Sequence, residues 1–281
     1  MRKLVFRLLV AACGFLIGIG SFQIWRRSPT IFAMPFLPFQ TLRYCEVARN
    51  AEHYHNQNIR VFLSESWRLH RDVCKFTSEV FYDGRLMSRP ENERQRLNTQ
   101  GPLDITGSTG LLFAPVNHGG NQSQSPEEVA RVVELVNGFL RDGTTWTTKS
   151  AEVAPLLLKD ILIIAPYNAQ VSALARSLPA GARVGTVDKV QGQEAPVVIY
   201  SMSTSTAEDA PRGMEFLYSS NRLNVATSRA QCLTVLVACP ALFEVQCKTP
   251  RQMELANAFA GIWRWPRLAE GYRSSSSCFS N

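Results

Sequence analysis

The chain has 281 residues, of which 45% are hydrophobic and 19% are charged. This composition is ordinary for a folded protein and excludes a chain that is disordered or of low complexity throughout. The formal net charge is +7, but residues 58–245 hold 18 basic and 19 acidic side chains, so the basic excess lies in the two ends. Bulk charge therefore gives no argument for a DNA-binding core. The seven cysteines show no CxxC pairing and the four histidines lack metal-ligand spacing, which favours structural thiols and predicts no metal site.

The N-terminal part of the chain contains an apolar run that begins at Leu8 and ends at Trp25, with basic residues on both sides. Its 18 uncharged residues just reach the length of a membrane span. The run could equally be the core of a signal peptide, or a segment foreign to the domain behind it. It predicts an isolated helix at about residues 5–26, inside an N-terminal segment of residues 1–57 that contributes little to the main core.

From residue 58 onward, apolar residues follow helical and strand patterns in alternation. Residues 66–82 predict a helix, because Trp67 and Leu69 begin a series of apolar positions at helical spacing. Residues 125–140 predict a second helix, since Ser125 can cap it and proline and acidic residues follow in its first turn. The other predicted elements are strands at 110–116, 160–166, 182–187, 196–204 and 232–240, and helices at 167–178 and about 220–230.

Strands rich in valine, isoleucine and leucine that alternate with helices indicate a parallel sheet covered on both faces. We therefore predict an α/β fold of three layers, in which residues 111–116, 161–165 and 197–202 belong to one sheet. The predicted domain spans residues 58–245. A C-terminal helix and a loose tail are predicted for residues 246–281.

Four stretches are informative through their order and spacing, and two of them are RVGTVDKVQGQEAPVVIYSM and RLNVATSRA. They look like motifs V and VI of superfamily-one helicases of the Upf-one-like branch. SESWRLHRDVCKFTSEVFYDGRL is similar to the helix near the start of the second RecA-like domain, and DILIIAPYNAQV to the strand and turn ahead of motif V. The resemblance covers about residues 60–263 and extends to the helicase halves of bacterial RecB-like nuclease fusions. It implies a RecA-like domain of the P-loop NTPase type.

The resemblance implies a role in nucleotide binding for five residues. Arg229 would be the arginine finger of motif VI and Arg68 a second γ-phosphate arginine, a role that suits a permanently charged, forked guanidinium. Glu194 would bind near the ribose side of the nucleotide, with Gln191 and Gly192 shaping the turn before it. The alternative is that both arginines pair with surface acids and that the turn binds nothing.

The resemblance also implies contacts with single-stranded nucleic acid, which we expect to be DNA. Thr186 and Asp188 resemble motif V positions that link the strand-binding face to the nucleotide face. Tyr167 and Gln170 are candidates for the path of the strand, where an aromatic ring can stack on a base or only pack beneath it. We expect Asp188 and the nucleotide-binding residues to converge outside the carboxyl ends of the strands, next to an apolar surface.

The motifs that hold phosphates and Mg²⁺ in this family are absent from the 281 residues. No glycine-rich loop ends in Gly-Lys-Ser/Thr, and no predicted strand ends in the acidic Asp-Glu pair. We therefore expect an N-terminally truncated second RecA-like domain that lacks the Walker A half. ATP and Mg²⁺ would bind only where a partner, such as a first RecA-like domain in trans, supplies the missing half.

Two functions remain open on this sequence. The first is a helicase C-terminal domain that acts on ATP held by a partner and hydrolyses none alone, in the cytoplasm. The second is a non-catalytic nucleic-acid-binding or membrane-tethered remnant of a helicase, anchored through the apolar run at Leu8. A neighbouring reading frame that encodes the Gly-Lys-Ser/Thr loop would favour the first.

Overall fold

The computed structural model of the protein describes residues 62–99, 108–141, 143–247 and 249–263. The chain divides into two compact units, Met1–Phe62 and Leu63–Asn281. The predicted N-terminal helix, the apolar run from Leu8 to Trp25 and the predicted loose tail lie outside the described residues, and the domain boundary at residue 57 stays a prediction. Within the described ranges, no helix is both long enough and apolar enough to cross a bilayer.

The second unit contains ten strands and six α-helices in its described part. The strands are β1 (Glu65–Ser66), β2 (Met87–Ser88), β3 (Arg96–Asn98), β4 (Gly110–Pro115), β5 (Thr145–Thr147), β6 (Val153–Pro155), β7 (Ile161–Ala165), β8 (Arg183–Thr186), β9 (Ala195–Ser201) and β10 (Ala230–Ala238). The helices are α1 (Arg71–Phe81), α2 (Pro126–Phe139), α3 (Asn168–Ser177), α4 (Gly213–Leu217), α5 (Ser220–Thr227) and α6 (Pro250–Trp263).

A five-stranded parallel sheet lies at the centre of the unit. Its strand order is β4-β10-β9-β7-β8, and every neighbouring pair is parallel. The three predicted strands named above are β4, β7 and β9, so the prediction that they share one sheet is confirmed.

Successive side chains of these strands point to opposite faces of the sheet, as the period of two requires. Leu162 and Tyr200 join a buried core with side chains of α1, α5 and α6. Ile163 and Ile199 join a second core with side chains of α2 and α3 on the other face. The predicted three-layer α/β fold is therefore confirmed.

Side-chain caps decide where two of the helices begin. Ser125 Oγ accepts a hydrogen bond from the Glu128 amide at 3.1 Å, and α2 begins at the next residue, as predicted. Helix α1 begins only after His70, whose Nδ1 accepts from the Asp72 amide at 3.1 Å. The predicted helix start at residue 66 is wrong, because the preceding chain pairs as β1 with β2 and leaves Trp67 exposed.

A small antiparallel sheet, with the order β3-β5-β6, was not predicted from the sequence. Each of its strands has three residues, too few for a clear alternation of polar and apolar positions. Leu97 of β3 is buried in the core that contains α2 and α3, and Trp146 of β5 packs against that core.

Candidate nucleotide and nucleic-acid site

Three of the predicted site residues meet near the amino ends of β9 and β10. Glu194 directly precedes β9 and Arg229 directly precedes β10, and the Ala195 amide donates to the Arg229 carbonyl at 3.1 Å. Arg68 Nε donates to Glu194 Oε2 at 2.5 Å, and Arg68 Nη1 donates to the Ser228 carbonyl at 3.1 Å. The structure thus brings both arginines and the glutamate together.

The position of this group corrects one expectation, because it lies at the amino ends of the strands and not at their carboxyl ends. Arg229 ends the crossover that contains α5, and Glu194 ends the connection from β8. In a parallel sheet, the last residues of a crossover lie at the edge where the next strand starts. The rule for clefts at carboxyl ends applies to loops that follow strands, and these residues precede them.

Arg229 is a half-buried cation. Its Nε donates to the Val225 carbonyl at 3.0 Å, and none of the described carboxylates lies within ion-pair distance of it. Burial lowers the pKa of the Arg229 guanidinium and the positive charge of Arg68 lowers it further, whereas Glu194 acts in the opposite direction. Two neighbouring guanidiniums, one without a carboxylate partner, make this surface suited to an anion.

Gln231, which the sequence reasoning missed, completes the group. Its Nε2 donates to Glu194 Oε1 at 3.0 Å, so both carboxylate oxygens of Glu194 are engaged, one by Gln231 and one by Arg68. Glu194 thereby holds the Arg68 side chain in place. The alternative interpretation, in which an arginine pairs with an acid, is realised for Arg68 in this structure.

An apolar surface accompanies Arg68. Trp67 is 56% exposed, and the guanidinium carbon of Arg89 lies 3.6 Å from its ring centroid. Met87 in β2 and Leu63, just before β1, are exposed to a similar degree as Trp67. An apolar surface next to both arginines stays a prediction. The sequence pattern assigned Trp67 to a helix. Its position directly before Arg68 was the sequence feature that could have marked it as part of the site.

The connection between β8 and β9 runs from one edge of the sheet to the other, because the two strands are parallel. Asp188 lies near its start and accepts a hydrogen bond from Arg222 Nη2 of α5 at 3.1 Å. Glu194 lies at its end. Asp188 therefore lies apart from the two site arginines, contrary to the expectation that all would converge.

The turns inside this connection place the remaining predicted residues. Thr186 is buried, and its carbonyl accepts from the amides of Lys189 and Val190 at 2.9 and 3.1 Å. Gln191 and Gly192 are exposed between these turns and Glu194. Gly192 has φ of 81°, a conformation that favours glycine.

Replacing Gly185 by alanine tests how tightly this connection packs. A Cβ atom there would lie 3.0 Å from Val190 Cγ1, and Val190 is buried. We expect Gly185→Ala to lower the free energy of unfolding by about 1–3 kcal/mol in urea titrations. The same change should cost less in a Val190→Ala background, where the opposing atom is missing. Equal costs in both backgrounds would contradict the close contact.

Gln170 is fully buried and connects α2 to β9. Its Oε1 accepts from the Ser125 amide and its Nε2 donates to Ser201 Oγ, both at 2.9 Å. Gln170 was expected to contact single-stranded nucleic acid. The structure corrects this expectation, because no surface of Gln170 is available to a ligand. Tyr167 is 7% exposed and its ring lies 5.3 Å from that of Phe216, so of the two alternatives it packs beneath the surface.

A buried polar network, also missed from the sequence, holds the loop after β9. Glu128 Oε2 accepts from Ser201 Oγ at 2.6 Å and from the Ser203 amide at 2.9 Å. Glu128 Oε1 lies 3.0 Å from His118 Nε2, and His118 Nδ1 lies 2.8 Å from Ser205 Oγ. The side chains of His118 and Glu128 are 0% exposed. The network fixes this loop to the start of α2.

Comparison with known proteins identifies the class of this domain. Residues 46–241 match the model of a family described as AAA domain. The match covers more than half of the chain, and the chain therefore belongs to this AAA domain family. Together with its helicase relatives, the match makes the folded unit a superfamily-one helicase-like domain.

Several curated relatives are helicases by name. DNA polymerase alpha-associated DNA helicase A of Schizosaccharomyces pombe is 30% identical over 183 aligned positions, and the match covers 61% of this chain and 26% of that protein. An uncharacterized ATP-dependent helicase of Caenorhabditis elegans is 31% identical over 186 aligned positions, with coverage of 62% of this chain and 11% of that protein. Putative helicase mov-10-B.1 of Danio rerio is 27% identical over 201 aligned positions, with coverage of 64% and 19%.

This chain spans about a quarter or less of the length of these relatives. Among solved structures, the C-terminal domain of a possible DNA helicase from Lactobacillus plantarum is 18% identical to it, with a TM-score of 0.35. That match covers 68% of this chain and 94% of the other.

Proposed function

We propose that this domain is the second RecA-like half of a nucleic-acid-dependent ATPase motor. In this role its arginines contact a nucleotide that another domain holds. A second edge of its sheet binds single-stranded nucleic acid, most simply DNA. The observation that supports this most strongly is the cluster of Arg68, Glu194 and Arg229 at the amino edge of the sheet.

The donor set of this cluster fits the γ-phosphate of ATP. Arg229 has no carboxylate partner among the described residues and is partly desolvated, so an anion would complete its environment. Arg68 is positioned by Glu194 and keeps an exposed fraction of 31%. Bound ATP would supply the phosphoryl group for hydrolysis, and the part of this chain is to bind and orient its terminal phosphate.

Trp67 extends the same surface toward an aromatic ligand. Its indole is exposed, the Arg89 guanidinium lies over its ring, and Trp67 directly precedes Arg68 in the chain. A flat, half-covered ring next to a phosphate-binding arginine suits the base of the nucleotide, which could stack on it. In this proposal the base contacts Trp67, the terminal phosphate contacts the two arginines, and Glu194 lies near the ribose side, where it holds Arg68 in place.

We also propose that the chain does not hydrolyse ATP by itself, because its sequence holds no Gly-Lys-Ser/Thr loop. ATP and Mg²⁺ would then be held by a first RecA-like domain, in trans or in a longer form of the protein, and the cellular location would be the cytoplasm. The bacterial nuclease–helicase fusions remain the proposed origin of this half.

The test uses the purified 281-residue chain, a phosphate-release assay and a fluorescein-labelled dT₁₅ oligonucleotide. We expect no ATP turnover above background with or without the oligonucleotide, and oligonucleotide binding that weakens as salt rises. DNA-stimulated turnover that Arg229→Ala abolishes would contradict the proposed half-site. Absence of oligonucleotide binding at low salt would contradict the strand-binding edge.

The second candidate function is a non-catalytic binding module, which could be tethered to a membrane. Its support is the pairing of Arg68 with Glu194, since this arginine is satisfied without a nucleotide. The two functions differ in one measurement. Adding a family domain that contains the Gly-Lys-Ser/Thr loop should yield ATP turnover only if the amino-edge arginines are functional.

A further inference from the structure

The carboxyl edge of the sheet holds a second group of arginines, which the proposed function does not use. The ring of Phe216, in α4, is in contact with two arginines and a tyrosine. The guanidinium carbons of Arg212 and Arg222 lie 4.0 and 4.2 Å from the ring centroid. The Tyr167 ring centroid lies 5.3 Å from it. We call these four residues the Phe216 cluster.

Most of the Phe216 cluster is held rigidly. Tyr167 is buried between β7 and α3, and Phe216 packs against the core that contains it. Arg222 belongs to α5 and its guanidinium is paired with Asp188. The positions of Phe216 and Arg222 therefore follow from the central sheet and α5.

Arg212 differs from Arg222 because it is exposed, and no described carboxylate forms an ion pair with it. A guanidinium stacked on a ring contacts it through its face, so the N–H groups around its rim remain free to donate. The neighbouring carboxylates have other partners: Asp188 accepts from Arg222, Asp209 accepts from Thr206 Oγ1, and Glu215 pairs with Arg251. The Phe216 cluster thus presents one exposed guanidinium that lies over a ring and has no ion pair with a described carboxylate.

We propose that Arg212, stacked on Phe216, binds a backbone phosphate of the single strand. This inference rests on the proposed function, since it assigns a residue to its strand-binding edge. The forked rim of a guanidinium matches two oxygens of one phosphodiester. The ring beneath fixes the guanidinium, so that little side-chain entropy is lost when the phosphate binds.

The site fits a strand better than it fits the bound nucleotide. Arg222, in the first turn of α5, and Arg229, just beyond its end, are seven positions apart in the sequence, or about 10 Å at the usual rise per residue. The Phe216 cluster therefore lies well apart from the amino-edge arginines. A ligand that repeats phosphates along its length can reach this surface independently of the nucleotide.

The experiment measures binding of fluorescein-labelled dT₁₅ to the full chain across a series of salt concentrations. We expect Arg212→Ala to weaken binding about three- to tenfold near 0.1 M salt. We also expect its slope of log affinity against log salt to be smaller by about 0.7, the value for one phosphate contact on a single strand. Arg212→Lys should keep the slope and recover part of the affinity.

Arg176→Ala is the matched control, since it removes one exposed positive charge from α3, on the opposite face of the sheet. It should leave both affinity and slope within error of the wild type. If the wild type binds dT₁₅ and Arg212→Ala behaves like Arg176→Ala, the Arg212 proposal is overturned and the proposed function stands. If the wild type does not bind, both are overturned.

Discussion

Replacing Glu128 by alanine is expected to lower the free energy of unfolding by about 3–5 kcal/mol. The carboxylate of Glu128 is fully buried and accepts hydrogen bonds from Ser201 Oγ and from the Ser203 amide. A ring nitrogen of His118 lies 3.0 Å from its other oxygen. Alanine would leave all three groups buried without their partner, and each such loss costs about 1–3 kcal/mol. Removal of the buried charge offsets only part of this cost.

The loss should be measured by urea unfolding, with Glu134→Ala as the control on the same helix. Glu134 is exposed and pairs with Arg131 at the surface, so its replacement should change stability by less than about 1 kcal/mol. Glu128→Gln should fall between the two, because an amide can still accept through its oxygen. If Glu128→Ala and Glu134→Ala were equally stable, the buried network would not hold the loop after β9.

The second large effect concerns catalysis in trans. With a family domain that contains the Gly-Lys-Ser/Thr loop supplied separately, we expect Arg229→Ala to lower the DNA-stimulated ATP turnover of the mixture by at least about 10³-fold. An arginine finger contributes a factor of this size to phosphoryl transfer. Lysine at this position should restore little, since it lacks the forked donors of a guanidinium.

Two further variants make this prediction specific. Arg176→Ala, on the opposite face, should leave turnover unchanged. Glu194→Gln should lower turnover less than Arg229→Ala, because it weakens the pairing that positions Arg68 but leaves both guanidiniums present. Turnover that survives Arg229→Ala would exclude this residue as the γ-phosphate arginine.

The sequence predicted the sheet and its layers well, because these depend on local patterns. Strands such as Ile161–Ala165 are continuous apolar runs, and Ser125 with the following proline marks a helix start by local chemistry alone. The start of α1 was missed, since Trp67 and Leu69 fit a helical period while pairing of β1 with β2 determines the backbone there. Tertiary pairing overrode the local pattern.

The site was predicted in its members but not in its arrangement. Arg68, Glu194 and Arg229 come together across more than 100 residues of sequence, and motif order alone does not say at which edge of the sheet they meet. Gln170 has the residue type and the position, shortly after a β-strand, that a contact with nucleic acid would have. Only its hydrogen bonds to Ser125 and Ser201 show that it is part of the core.

The connection from β8 to β9 has a thermodynamic consequence. Asp188 and Glu194 are six residues apart on it, and hydrogen-bonded turns and the packing of Val190 on Gly185 hold the segment between them. We therefore expect a displacement of Asp188 to displace Glu194 as well. If a strand bound near Asp188 changes the affinity for nucleotide near Glu194 by some factor, the nucleotide must change the affinity for the strand by the same factor. Measuring either coupling then determines both.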